Sequence, residues 1–448
     1  MGKRVSRRCT HNRQKNDGSI WSWGSDEYGE LGDSTKKYRD IPKKIGTSTD
    51  WQSISAGSTH SHAIKDDGSL WAWGNNEYGQ LGDGTYDIRH IPIQIGKETN
   101  WQSIFSGTYH NLAIKKDGSL WAWGWNDYGQ LGDGTDESKN APVQIGTATD
   151  WQSIFVGYDH SLAIKKDGTL WAWGDDENGR LGQGFIESRR SPVQIGRATD
   201  WQMVSGGNHH SMAIKKDGSL WAWGFNLDGQ LGDGTNDDKH SPVQIGTDTN
   251  WQSASGGAWH SIAIKRDGTI WTWGSNFVGE LGDSSYTAKY RNRPAQIGTA
   301  TDWQAVDAGS EFSSAKKNNG TLWAWGRNNA GQLGDGTRII RNTPTAITAC
   351  PEMIMPAAGN NYNLSRNYTI QAYPNPFTEV LYIEVNLNEP NPLEVEVIDA
   401  LGRILRVDKS SQFSKKHYIQ IQNLDYRGLL FLKIKSIGRY DVVKLLKN

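Results

Sequence analysis

The sequence predicts an all-β protein: a seven-bladed β-propeller over residues 17–366, followed by a small β-sandwich over residues 367–448. Three observations carry this. A Trp-X-Trp-Gly element begins at Trp21, Trp71, Trp121, Trp171, Trp221, Trp271 and Trp323, a step of 50 residues broken only by two extra residues near "SSYTAKYRNRP". A second tryptophan recurs at Trp51, Trp101, Trp151, Trp201, Trp251 and Trp303, so these slots hold all but two of the 22 tryptophans. No unit shows a helical apolar stripe; each instead holds short β-rich runs.

Within one unit, "HNLAIKKDGSLWAWG" (110–124) is two such runs joined by Asp117-Gly118, a strong hairpin signal. A two-residue turn pairs Lys116 with Ser119 and Ile114 with Trp121, and sets His110 opposite Trp125. Leu120 and Ala122 then point to one face, Trp121 and Trp123 to the other. Both faces are apolar, so each hairpin is expected to be sandwiched between copies of itself. "PVQIG" and "DWQSI" add two extended segments, about four strands per unit.

Ring closure is expected from the far end of the repeats. Residues 344–359 align without a gap on 142–157, but the following "DGSLWAWG" is missing there and stands instead at 17–24 as "DGSIWSWG". A strand at 357–365 is therefore expected to pair with 19–24, with Met353 in the tryptophan slot and Tyr362 in the histidine slot, leaving no open edge. Residues 1–16, "MGKRVSRRCTHNRQKN", carry six Lys or Arg and no acid. They read as a basic stub from a truncated or misread start; a DNA-binding arm is the rival reading.

The recurring "GxxHSLAIKxDGSLWAWGxNxxGQLGDGT" and the "PVQIG" after it resemble the repeats of the regulator of chromosome condensation family, over roughly residues 11–366. The resemblance implies a seven-bladed propeller. It leaves function open, because that family's eukaryotic archetype is an exchange factor for the GTPase Ran, while a bacterial relative inhibits β-lactamases. The tail resembles the type A sorting domain of the type IX secretion system in Tyr373-Pro374-Asn375-Pro376, "DALGR" (399–403), "GLLFLK" (428–433) and the terminal "VVKLLKN". That implies export, recognition by the secretion machinery through residues 367–448, and a signal peptide, which this sequence does not show.

Composition excludes some partners. Net charge is −1 with 48 basic and 49 acidic residues, so no global field recruits nucleic acid or an anionic membrane. No apolar run approaches 18 residues. Two cysteines, Cys9 and Cys350, are too few for a disulfide scaffold; both fall near the expected closure, and whether they pair stays open.

No catalytic constellation emerges, so no enzyme, metal or cofactor is expected. His60, His110, His160, His210 and His260 recur one per unit, yet Phe312 and Tyr362 stand in the same slot, so they read as structural histidines satisfied by backbone groups rather than ligands. The "LGDGT" loops lack the spacing of calcium loops and read as turns. Asp175, Asp176 and Glu177 read as a solvated run rather than a paired acid and base.

The letters that change are those before the histidine and after Trp-Gly, which the hairpin carries to one end of the sheet. Aromatic anchors among adaptable polar residues favour a binding surface. The expected contact residues are Tyr28, Tyr78, Tyr109, Trp125, Tyr128, Tyr158, Asp159, His209, Phe225, Trp259, Phe277, Glu311 and Arg327. The function expected is a monomeric, tryptophan-rich recognition module, secreted or at the cell surface, that binds a protein or glycan. An enzyme inhibitor is the alternative, an exchange or chromatin factor a weaker one.

Overall fold

Sheets that are apolar on both faces must bury both, and they do so against one another. A computed structural model describes residues 10–14, 17–284 and 289–347, and the backbone of five strands in the C-terminal part; within 10–14 only the side chain of Arg13 is described. The first sheet has three strands, β1 (Thr10–Gln14), β2 (Ile20–Gly24) and β3 (Arg39–Lys44). The second has four in simple order: β4 (Trp51–Ala56), β5 (His60–Lys65), β6 (Leu70–Gly74) and β7 (Arg89–Ile95). That four-stranded order repeats in sheets spanning residues 101–144, 151–194, 201–244, 251–296 and 303–346. Among the described residues the propeller thus has six complete four-stranded blades, where the sequence predicted seven.

The hairpin register differs from expectation by one residue. Leu120 pairs with Ile114, Trp121 with Ala113, and Gly124 with His110. The loop is Lys116-Asp117-Gly118, closed by Lys115 N–H to Ser119 O (3.1 Å), with Gly118 at φ +83°. The cause is local: the Asp117 carboxylate accepts from the Ser119 amide (2.9 Å) and hydroxyl (2.6 Å). A two-residue turn would need that amide for Lys116, so the side chain selects the longer loop.

The two framework tryptophans have different tasks. Trp123 is fully buried, and its indole N–H crosses to the preceding sheet to bond Gln80 O at 3.0 Å. Trp73 reaches Glu30 O, Trp173 reaches Gln130 O, and Trp223 reaches Arg180 O in the same way. Gly82 has no room for a side chain here, since a Cβ would stand 2.9 Å from Trp123 Nε1. Trp121, by contrast, is only part-buried; it meets Trp101 edge-on (5.9 Å), and the Lys115 ammonium lies over both rings. Between sheets the core is a layer, as where Leu112, Ile114, Leu120 and Ala122 pack on Trp151, Ala163 and Trp173.

The same lock joins the first sheet to the last: Trp23 Nε1–H donates to Gln332 O (3.1 Å), and Gly336 N–H to Asp40 O (2.8 Å). The edge of β2 assigned from sequence to 357–365 is occupied by β1, from Thr10 opposite Gly24 to Gln14 opposite Ile20. Residues 10–14 are thus a blade strand rather than part of a stub. Only five residues separate β1 from β2, so this pairing closes a far shorter loop than one spanning more than 300 residues. Residues 357–365, Met353, Tyr362, Cys9 and Cys350 lie outside the described residues.

The chain divides into units 1–355 and 356–448. In the second, Tyr368–Tyr373, Val380–Asp399, Ile404–Gln422, Gly428–Ser436 and Arg439–Lys447 form one antiparallel sheet. The described strands there number five, against the seven or so expected for a sandwich.

Candidate partner-binding face

The one-residue change of register alters which letters meet. Trp125 N–H donates to Tyr109 O (3.0 Å), so the slot after Trp-Gly pairs with the slot before the histidine. The same bond joins Asn75 to Thr59, Asp175 to Asp159, Phe225 to His209, Ser275 to Trp259 and Arg327 to Glu311. Each blade therefore presents two variable residues side by side. Beneath them lies a recurring frame. Asn126 is buried, takes the Leu131 amide on Oδ1 (2.9 Å) and gives its amide group to Thr135 O and Glu137 O, while Gln130 Oε1 accepts the Tyr128 amide.

On this frame the expected aromatic residues form a continuous run over five sheets. Tyr78 meets Tyr109 (5.1 Å between ring centres), Tyr109 meets Trp125 (5.7 Å), and Trp125 meets Tyr128 (5.5 Å). From Tyr109 the run continues through Tyr158 (6.0 Å) to His209 (5.5 Å), then Trp259 (5.2 Å), which also meets Phe225 (5.5 Å). Trp125 and Trp259, the two tryptophans outside the framework, share this face. Tyr128 is 47% exposed and the other rings of the run are half-buried. Tyr28 is half-buried on the first sheet's loop, Phe277 is exposed on the sixth, and Glu311 and Arg327 form an ion pair (2.6 Å) on the last.

Among the expected contact residues, Asp159 is buried. It is only 7% exposed, held beside the buried Arg180, whose guanidinium lies 3.9 Å from Asp159, 3.2 Å from Asp175 and 3.4 Å from Glu177. Burial pushes the Asp159 carboxyl up to about 7, against the pull of Arg180 and helped by Asp175 and Glu177. Burial and then Arg180 push His209 down to about 3, so its ring is neutral. Arg180 was missed in the sequence; its signal is "GRLG" (179–182) where other units have "GQLG" or "GELG". Nor is 175–177 a solvated run, because Asp176 is fully buried and accepts the Leu181 (2.8 Å) and Glu187 (3.0 Å) amides.

The recurring histidines are structural by a different bond than expected. His110 Nε2 lies 3.0 Å from Ser161 Oγ on the next sheet. That hydroxyl spends its one proton on Gln130 O (2.8 Å), so the imidazole N–H is the donor. His160, His210 and His260 repeat the bond to Ser211, Ser261 and Ser313; burial lowers all three pKa values, fixing neutral rings. The "LGDGT" loops are turns: Asp83 Oδ1 accepts the Thr85 amide and hydroxyl, and Oδ2 pairs with Arg89 (2.7 Å).

Comparison with known proteins agrees with this frame. An RCC1-like domain model matches residues 13–210, the regulator of chromosome condensation (RCC1) repeat matches 217–264, 267–315 and 319–365, and a secretion system C-terminal sorting domain matches 371–448. Human WBSCR16 superposes with a TM-score of 0.66 at 20% identity, covering 74% of this chain and 94% of that one. Prp20p from Saccharomyces cerevisiae gives 0.67 at 21%, covering 80% and 90%. At these identities the likeness is one of fold. No curated protein matches the chain in sequence. The chain therefore carries regulator of chromosome condensation repeats arranged as a propeller and ends in a type IX secretion sorting domain.

Proposed function

We propose that this protein is a non-enzymatic recognition module, secreted or held at the outer cell surface, that binds a protein or glycan partner through the face bearing Trp125 and Trp259. The run of rings from Tyr78 to Trp259 carries this reading: half-exposed aromatics continuous over five sheets form an anchor surface, and they vary while the frame below them repeats. The sorting domain supports export. In this reading the three-stranded first sheet counts as a blade of a seven-membered ring, and residues 367–448 form the sandwich that the secretion machinery engages.

Prp20p is described by its binding to Gsp1p and histones. A corresponding intracellular role here is disfavoured by the sorting domain. An inhibitor of an extracellular enzyme would use the same face and differ only in its partner. The deciding experiment is capture of partners from the outer cell surface and medium by the full chain, in parallel with Trp125→Ala and Trp259→Ala. The reading expects capture by wild type and its loss in both variants. Capture that both variants retain overturns it.

A further inference from the structure

The face is not uniform around the ring. In the loops after Trp-Gly, the same position is occupied by Glu27, Glu77, Asp127 and Glu177 in the first four sheets, then by Leu227, Phe277 and Asn329. All seven are exposed, Leu227 by 60% and Phe277 by 48%. In the first three sheets the acid is followed directly by a tyrosine, Tyr28, Tyr78 or Tyr128. Glu27, Glu77 and Asp127 make no ion pair among the described residues; between Trp-Gly and the next Leu-Gly, Arg180 is the only cation of these four loops, Lys36 and Lys37 lying further along the first. That guanidinium is buried and already shared among three carboxylates.

A second observation lies beneath the loops. Asp159 is more than nine-tenths buried, and its Oδ1 has no hydrogen-bond partner. A buried carboxylate oxygen left unpaired is costly unless a ligand or water completes it. Its carboxylate stands close enough to Tyr128 to help raise that phenol, together with Asp175, Asp127 and Glu177, burial being the larger cause. Electron-rich rings bordered by unpaired acids attract one chemistry: ammonium or guanidinium groups, held by charge and by the ring faces at once.

We propose that the acidic arc of the first four sheets, with the tyrosines of the first three and Asp159 beneath it, docks a lysine- or arginine-bearing peptide segment of the partner protein. Charge complementarity selects this occupant over a neutral glycan, and the apolar half of the face, at Leu227, Phe277 and Trp259, receives the apolar residues of the same partner. The inference rests on the recognition face proposed above.

The test is titration of the full chain with octalysine, octaglutamate and cellohexaose, followed by tryptophan fluorescence and calorimetry. The variants are Glu77→Gln with Asp127→Asn, Tyr128→Ala, Asp159→Asn, and, at the opposite end of its sheet, Asp66→Asn; each is first checked by near-ultraviolet circular dichroism. The proposal expects octalysine alone to bind, about tenfold more weakly in each arc variant and as in wild type for Asp66→Asn. Binding is also expected to weaken with added salt. Absence of octalysine binding, or equal loss in Asp66→Asn and the arc variants, overturns it. Cellohexaose binding without octalysine binding, lost in Trp259→Ala, also overturns it while leaving the recognition face standing.

Discussion

The backbone amide of Trp125 donates to the carbonyl of Tyr109 at 3.0 Å, so two letters that differ from unit to unit are partners in one ladder. Changing either side chain leaves this bond in place. Trp125 is half-buried among Tyr78, Tyr109, Tyr128 and Tyr158. Trp125→Ala and Trp259→Ala should therefore cost only about 1 to 2 kcal/mol of stability, well below a core truncation, while abolishing partner capture. Denaturant melts alongside the capture assay check this; global unfolding of both variants contradicts it.

Trp123 predicts the opposite balance. It is wholly buried and holds two sheets together through Gln80 O, whereas Trp121 lies partly open under Lys115. Trp123→Ala should destabilise by roughly 3 to 5 kcal/mol. Trp123→Phe keeps most of the packing but leaves Gln80 O one donor short, and should cost about 1 to 3 kcal/mol. Urea midpoints decide the order, and equal losses for Trp121→Ala and Trp123→Ala would count against the division of labour.

His110 and Ser161 lie on neighbouring sheets and form one chain of donors that ends at Gln130 O. Ser161→Ala leaves the buried imidazole N–H unpaired, an expected loss of about 1 to 3 kcal/mol. His110→Phe copies Phe312, which fills this slot in the last sheet. The double variant should cost less than the two single losses together, by about 1 kcal/mol. Strict additivity in a double-mutant cycle would mean that the two residues do not form the clasp.

The frame was legible in the sequence because tryptophan, glycine and the Asp-Gly turn recur at fixed spacing, and only a stack of like sheets buries both faces. The aromatic residues of the site were legible for the converse reason: they break the repeat. What escaped depends on which side chain captures a backbone group. The Asp117 carboxylate takes the Ser119 amide and moves the register by one, and "Asp-Gly" alone does not tell a two-residue from a three-residue loop. In the repeat Arg180 is one exchange for glutamine or glutamate, yet its guanidinium lies beside Asp159 and Asp175, a charge arrangement that no single unit spells out. "THNRQ" lacks an apolar alternation and so did not read as a strand; its pairing follows from nearness along the chain.

Acid carboxyls raised by burial give a definite pH dependence. Asp159 rises from 3.8 to about 7 and Glu30 from 4.5 to about 7, in both cases chiefly through desolvation. Between roughly pH 4 and 7 the folded protein holds protons that the unfolded chain has released. Their contribution is full below the unfolded values and is lost as pH rises through 7. Melting temperature should fall across that window. Asp159→Asn and Glu30→Gln, the latter matching Gln80 and Gln130, should each flatten the profile. A slope unchanged in both variants would show that these carboxyls titrate normally.

Removing residues 1–14 tests the first sheet directly. β1 covers the edge of β2, so the truncated chain exposes the unpaired backbone of Ile20–Gly24, whose "IWSWG" side chains are all buried in the intact protein. Arg13 also pairs with Asp307 at 3.2 Å, but both side chains are partly exposed, 34% and 52%, so Arg13→Ala alone should cost at most about 1 kcal/mol. The truncation should lower the melting temperature by several degrees and promote association, since an open apolar strand edge recruits other chains. Light scattering during the melt measures the second effect. A truncated protein that melts like the intact one and scatters no more light would mean that β1 is dispensable to the ring.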